Sequence, residues 1–395
     1  MNIILHEVRK IFNLKILAVI AALCALWYFM FLEFNVRHYP NGHPATEIAD
    51  LMIELAERYG RTITPGEIEP FLDDRRAALE IEAEEYIPSN PVFAEVGIHN
   101  YSDFLDIWQS ELADEIEGFW WAHWQFFGYD SDWLGHRIQA VDFVQGSWYG
   151  AAYRLERELG QPVSNRGRQR IAEILETDEY RGAMDSGAFS NTMAYFTNFA
   201  VLLVLSTLLL ISPLITTDRA RNIHHLQYTS KLGRRIMLRQ LAAVLLSSAL
   251  FTTAMLLIFA AIYSSTGVFM YLGHGLVSFH MGSPITLLRI TFGGYMAIMV
   301  AIAYALSLSA SLVAFGISRF SRNLMTASIK IIPAFIALRF LCVGILRSTP
   351  FTLWSGLYRR THIAGIEAIV CIVFLLFTLA AALWVSRREK GSEAV

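Results

Sequence analysis

Residues 193–216 read MAYFTNFAVLLVLSTLLLISPLIT, and residues 216–240 continue TTDRARNIHHLQYTSKLGRRIMLRQ. The first stretch holds no charged side chain, and a helix needs about 20 such residues to cross a bilayer. The second is strongly basic, as expected of a segment on the cytoplasmic side of a membrane helix. Working outward, comparable apolar runs occur at roughly 16–33, 241–264, 290–317, 325–346 and 363–386. The run at 325–346 is interrupted by Lys330, Pro333 and Arg339. It is retained because an even count puts the basic flanks on one side, and because proline is tolerated where neighbouring helices satisfy the freed carbonyl. The fold expected is an all-α integral membrane protein with six transmembrane helices.

Charge divides the chain. Residues 34–190 carry 29 Asp/Glu, 12 Arg and no Lys, a net charge of −17, whereas the rest carries 20 Lys/Arg against 6 Asp/Glu, a net of +14. Arg9, Lys10 and Lys15, the 219–239 cluster, Arg319, Arg322, Arg387, Arg388 and Lys390 all flank the same ends of the spans. Both termini are therefore expected in the cytoplasm of a multi-pass cell-membrane protein, with the acidic block outside. The domains expected are 1–33 (an interfacial helix and first span), 34–190 (an acidic extracytoplasmic domain) and 191–395 (five spans with a cytoplasmic loop at 217–240). No small-x-small cleavage site follows 16–33, so that segment is read as an anchor. Cys24, Cys342 and Cys371 all fall in predicted spans, which leaves the external block without a disulfide framework.

That block reads as all-α. Thr64-Pro65-Gly66-Glu67 is a capping box with proline at the first helical position, and the helix it opens runs towards Tyr86. Ile48, Leu51, Met52, Leu55 and Tyr59 share one helical face before Gly60. Further helices are expected over 102–127, 134–159 and 166–182. Eight aromatics lie between Phe119 and Trp133. They are read either as a core with a belt resting on the membrane surface or as a contact surface for an apolar or peptidic substrate, with Trp120, Trp121, Trp124 and Trp133 the residues at issue.

Phosphate-binding loops, dinucleotide fingerprints, paired-histidine zinc helices and cysteine-pair metal sites do not occur. Adjacent His224 and His225 point to different faces of a helix and make a poor chelate. No nucleophile or base is nominated, so enzymatic activity is not expected.

Asp218, then a short helix from it to about Tyr228 capped by Thr217, then Leu226-Gln227-Tyr228-Thr229-Ser230-Lys231-Leu232-Gly233-Arg234-Arg235, lead from the second span into the third. This arrangement resembles the membrane subunits of ABC-2 type exporters, in which a Leu-x-x-(Thr/Ser)-(Ser/Thr/Pro)-x-x-Gly-Arg stretch follows an acidic residue, usually Glu where this chain has Asp218. The resemblance covers the arrangement of spans, about 240 residues outside the insertion. It implies a permease without a nucleotide site of its own, driven by a separate cytoplasmic ABC ATPase that uses ATP and Mg. By the same resemblance Asp218, Arg219, Leu226, Tyr228, Ser230, Lys231, Gly233 and Arg234 would dock to that ATPase. A second permease copy, identical or different, and membrane lipids complete the expected partners; nucleic acid is not expected, nor is any cofactor bound by this chain.

Three ionisable residues fall at membrane depth, Lys330, Arg339 and Glu367. Such groups are functional candidates by default; Arg339 and Glu367 are read either as a pair or as groups that each reach water, and Lys330 as reaching the interface. Gly293, Ala297, Ala301, Ala305 and Ser309 form a small-residue stripe for close helix packing. Ile3, Ile4, Val8, Ile11 and Phe12 oppose His6, Glu7, Arg9 and Lys10, as on an interfacial helix. The alternatives to transport are a membrane-anchored receptor or sensor whose acidic domain binds a ligand, for which one or two spans would suffice, and an enzyme embedded in the membrane helices.

Overall fold

The computed structural model describes residues 3–220, 236–347 and 350–391. Among the described residues there are helices and two isolated β-bridges but no strand. Along the chain α1 spans Ile3–Ile11 and α2 Leu14–Trp27; a π-turn, Tyr28–Leu32, leads into α3, Glu33–Arg37. Next come α4 (Ala45–Tyr59), α5 (Pro65–Ser89), α6 (Pro91–Glu95), α7 (Tyr101–Trp108), α8 (Phe119–Phe127), α9 (Leu134–Leu159) and α10 (Asn165–Glu176). They are followed by α11 (Ser186–Ile211), α12 (Pro213–Ala220), α13 (Ile236–Tyr263), α14 (Phe292–Arg319), α15 (Leu324–Leu346), α16 (Gly356–Thr361) and α17 (Ile366–Gly391).

Six helical stretches are long and apolar enough to cross a membrane: Leu14–Arg37, Ser186–Arg219, Ile236–Thr266, Phe292–Arg319, Leu324–Leu346 and Ile366–Arg387. The chain is thus read as a multi-pass, all-α membrane protein. Pro333 does not break α15, which Asn323 caps by accepting from the Thr326 amide at 2.9 Å. The chain forms two compact units, Met1–Arg37 with Asn191–Leu272 and Phe292–Val395, and His38–Ser190 with Gly273–Thr291.

In the membrane unit α14 is central, touching α12, α13, α15 and α17. Its Ser307 is fully buried and joins three helices through hydroxyls, with Thr207 of α11 at 3.0 Å, Ser248 of α13 at 3.3 Å and Thr252 of α13 at 2.7 Å. Where no water is available, such cross-helix hydroxyl bonds hold helices that the hydrophobic effect cannot. Pro213 ends the α11 hydrogen-bond ladder, so the second apolar run is two helices meeting at Ser212. On the small-residue stripe Ala297 and Ala301 are exposed, whereas Ser309 is buried.

The second unit is built around α9, against which α4, α5, α8 and α10 pack. The capping box forms as the sequence implies: the Thr64 amide donates to Glu67 Oε2 at 2.8 Å and the Thr64 hydroxyl at 2.7 Å. These bonds favour the charged form of Glu67 and lower its pKa. The helix expected over 102–127 is instead α7, a 3₁₀ turn at Glu111–Asp114 and α8, because Gly118 sits at φ 88, a conformation that ends helices. The helix expected over 166–182 stops at Glu176, where Asp178 turns to φ 53. Residues 273–291, most of which fall between the apolar runs at 241–264 and 290–317, belong to this unit. The Arg154 guanidinium donates to the Phe279 carbonyl, Arg170 Nε to Thr286 O at 3.0 Å, and Ser278 Oγ to Gly182 O at 2.6 Å.

Candidate functional site

Helix α1 is amphipathic, and its Glu7 and Lys10 are three residues apart, hence on one face. That face meets α12 and α13. Lys10 Nζ lies 3.0 Å from Glu7 Oε2 and 2.7 Å from Asp218 Oδ2, and Gln240 Nε2 donates to Glu7 Oε2 at 3.4 Å. Glu7, Asp218 and Gln240 are each 3% exposed, so two carboxylates are withdrawn from water, while the Lys10 side chain that bridges them is 26% exposed. A group in such a position is tolerated only if paired, and removing one partner strands the other.

Helix α12 is held on its other side by α14. The Ile215 amide, left without a helical partner so near Pro213, donates to Ser318 Oγ at 3.0 Å. Arg219 Nη1 donates to Ser321 O at 2.5 Å, satisfying a carbonyl just past the end of α14. A cavity of about 540 Å³ lies beside the cluster, lined among others by His6, Glu7, Lys10, Leu214 and Asp218. The segment 216–220 is therefore a fixed strut that leads into residues 221–235.

Thr217 does not cap a helix that begins at Asp218, as expected from sequence; both residues lie inside α12, which Pro213 starts several residues earlier. Asp218 is consequently inside the helix rather than in its first turn, the positive end where an anion is favoured. Lys10 supplies the compensation instead. Leu226, Tyr228, Ser230, Lys231, Gly233 and Arg234 lie outside the described residues.

The intramembrane charges are not brought together. Glu367 is fully buried, and Ser355 Oγ donates to its Oε1 while Oε2 has no hydrogen-bond partner. Arg339 does not pair with it. The guanidinium is on an exposed face of α15, beside a cavity of about 200 Å³ that Trp27, Phe31, Asn198 and Arg347 also line. Of the two readings, the pair is not formed: Arg339 lies on an exposed face of α15, whereas Glu367 is buried against Ser355, next to α16. Lys330 Nζ reaches back to Phe320 O at 2.7 Å, the interfacial behaviour expected of a long basic side chain.

Trp120, Trp121 and Trp124 are 52%, 55% and 56% exposed on α8, whose opposite side buries Phe119, Phe126 and Phe127. Trp121 and Trp124 stack at 5.1 Å, and Trp120 Nε1 donates to Asp114 Oδ1 at 3.0 Å. Trp133 is apart from them, stacked on His43 at 3.7 Å.

Sequence reasoning missed Lys10 as a partner of Asp218, and Glu7 and Gln240 as the residues that extend the cluster. The available signal was an opposite-charge pair at i, i+3 on a helix with an otherwise apolar face, read only as a polar surface. It also missed Asp185, Ser186 and His280 in the second unit. Ser186 Oγ is 2.7 Å and the Ser186 amide 3.0 Å from His280 Nδ1, and Asp185 Oδ1 is 3.4 Å from the same nitrogen. A proton relay needs the acid and the hydroxyl on opposite ring nitrogens. Here both crowd one, which makes the trio a structural staple; burial pushes the His280 pKa down. The described residues hold no group of three or more potential metal ligands.

Compared with protein-family models, curated proteins and solved structures, the chain matches none.

Proposed function

We propose that this chain is the permease subunit of an ATP-driven exporter of the ABC-2 type, forming a translocation path with a second permease subunit and driven by a separate cytoplasmic ATPase. The observation that carries the reading is the Glu7–Lys10–Asp218–Gln240 cluster, which ties the helix leading into residues 221–235 to both α1 and α13. A force on the 217–240 segment would thereby reach three helices as a rigid-body displacement, which a loosely attached loop could not transmit. In this reading α1 is the interfacial helix at the cytoplasmic face, both termini are cytoplasmic, and residues 34–190 lie outside, as the distribution of basic residues favours. Exposed Ala297 and Ala301 would let a second helix approach α14 closely.

The test is ATP hydrolysis by the permease reconstituted with a partner ABC ATPase, to be sought first in the adjacent reading frame. Lys10→Met and Asp218→Asn should abolish substrate stimulation while insertion and co-purification persist, and the exchange Lys10→Asp/Asp218→Lys should recover part of it. Normal stimulation in both single variants would remove the cluster from coupling. A receptor without transport is the second reading, favoured by a cavity within the acidic unit. It requires ligand binding with no hydrolysis to stimulate.

A further inference from the structure

Between α4, α5 and α9 the acidic unit holds an open cleft of about 430 Å³, within the size range of small-molecule sites. His43, Glu47, Asp50, Arg75, Trp133 and Arg137 line it. Its two arginines are already neutralised. Arg75 is held by Glu54, and Arg137 lies 2.8 Å from Glu82 Oε1 and 3.8 Å from Asp132 Oδ2.

The carboxylates on α4 are not matched in the same way. Glu47 and Asp50, one turn apart, face the cavity together. Glu47 Oε1 is taken by His43 Nδ1, but the side chain is only 10% exposed and its Oε2 has no hydrogen-bond partner. Asp50 makes no ion pair among the described residues, and partial burial, then the charge of Glu47, push its pKa up. Two carboxylates thus sit together at the cavity, Asp50 open to water and Glu47 largely buried with an unfilled acceptor. One wall is aromatic: the Trp133 indole lies flat on the His43 ring, 15° from parallel. Trp133 and Asp132 both adopt left-handed backbone, at φ 59 and 52, which sets the indole at the mouth of α9.

We propose that this cavity binds a small organic cation, an ammonium or guanidinium group on an apolar body, with Glu47 and Asp50 receiving the charge and Trp133 flanking the body. A free amine and the basic side chain of a peptide present the same group to be recognised. Nothing in this proposal depends on the permease reading, because it concerns binding to one unit whether or not transport follows.

The experiment is isothermal titration of the full-length protein in lipid nanodiscs with agmatine, with the tripeptide Gly-Arg-Gly amide and with glutarate. Saturable binding of agmatine or of the tripeptide, with none of glutarate, supports the site, and whichever cation binds more tightly identifies the source. Asp50→Asn and Glu47→Gln should each weaken cation binding about tenfold or more, the loss expected when a charged hydrogen-bond partner goes. Asp50 has no partner whose loss would unfold the unit, so its variant keeps the test decisive if Glu47→Gln is unstable. No binding of either cation at millimolar concentration, equal binding of glutarate, or undiminished binding by Asp50→Asn would overturn the proposal.

Discussion

Glu367 illustrates how a single side chain can be worth more than its neighbours in a membrane helix. Its carboxylate is fully buried, one oxygen is bound by the Ser355 hydroxyl, and the other has no partner. Removing the hydroxyl strands the acceptor, and a buried polar group left unsatisfied costs about 1–3 kcal/mol. Ser355→Ala should therefore lower the thermal unfolding temperature of the detergent-solubilised protein, whereas Glu367→Gln keeps an acceptor for Ser355 without the charge and should lower it less. Arg339→Ala, which touches neither, should leave it unchanged. A destabilisation by Arg339→Ala as large as that by Ser355→Ala would restore the ion pair that the sequence suggested. Both charged residues were legible as unusual from their position in apolar runs. Their partners were not, because a hydroxyl twelve residues away on a short turn carries no periodic signal.

At the level of elements, the helices that were readable are those with punctuation. The box at Thr64–Glu67 marks the start of α5, the apolar face from Ile48 to Tyr59 followed by Gly60 marks α4, and 134–159 coincides with α9. The failure at 102–127 has a physical cause. Phe or Trp occupies six of the nine positions from Phe119 to Phe127, so no face stands out, and Gly118 read as an interior residue although it is the break. A Cβ at Gly118 would face a positive φ of 88 and meet Val96 Cγ1 at 3.0 Å. Gly118→Ala should thus destabilise the acidic unit by roughly 1–2 kcal/mol, the usual cost of left-handed backbone for a side chain, read from chemical denaturation followed by tryptophan fluorescence. A neutral substitution would mean that α7 and α8 can fuse into the continuous helix the sequence suggested. The candidate site shows the same limit: Asp218 was legible from the basic segment that follows it, but Lys10, 208 positions earlier, was not.

On the scale of the whole molecule, the charge split made the acidic block visible, yet gave no sign that residues 273–291 complete it. The links run to main-chain carbonyls of Phe279 and Thr286, which every residue has and no sequence pattern displays. Arg170 is the key link: 4% exposed, it reaches Thr286 O, Glu179 at 2.6 Å and Glu173 at 3.2 Å. Arg170→Ala leaves Glu179 stranded, a loss of about 3–5 kcal/mol for a buried pair. Limited proteolysis should then cut within 273–291 under conditions where the parent protein is resistant; equal resistance would show that this segment is held without Arg170. Phe279, fully buried and packed edge-on against Trp148 at 5.1 Å, belongs to the same core. This arrangement also sets an order of events during biosynthesis. The chain from His38 to Ser190 emerges first, but the segment that closes its core ends at Thr291, 101 residues later by position. At the usual pace of translation, about 5–20 residues per second, the nascent unit waits roughly 5–20 seconds with its Phe279 site vacant. For that interval its quality control must come from chaperones or from the membrane insertion machinery.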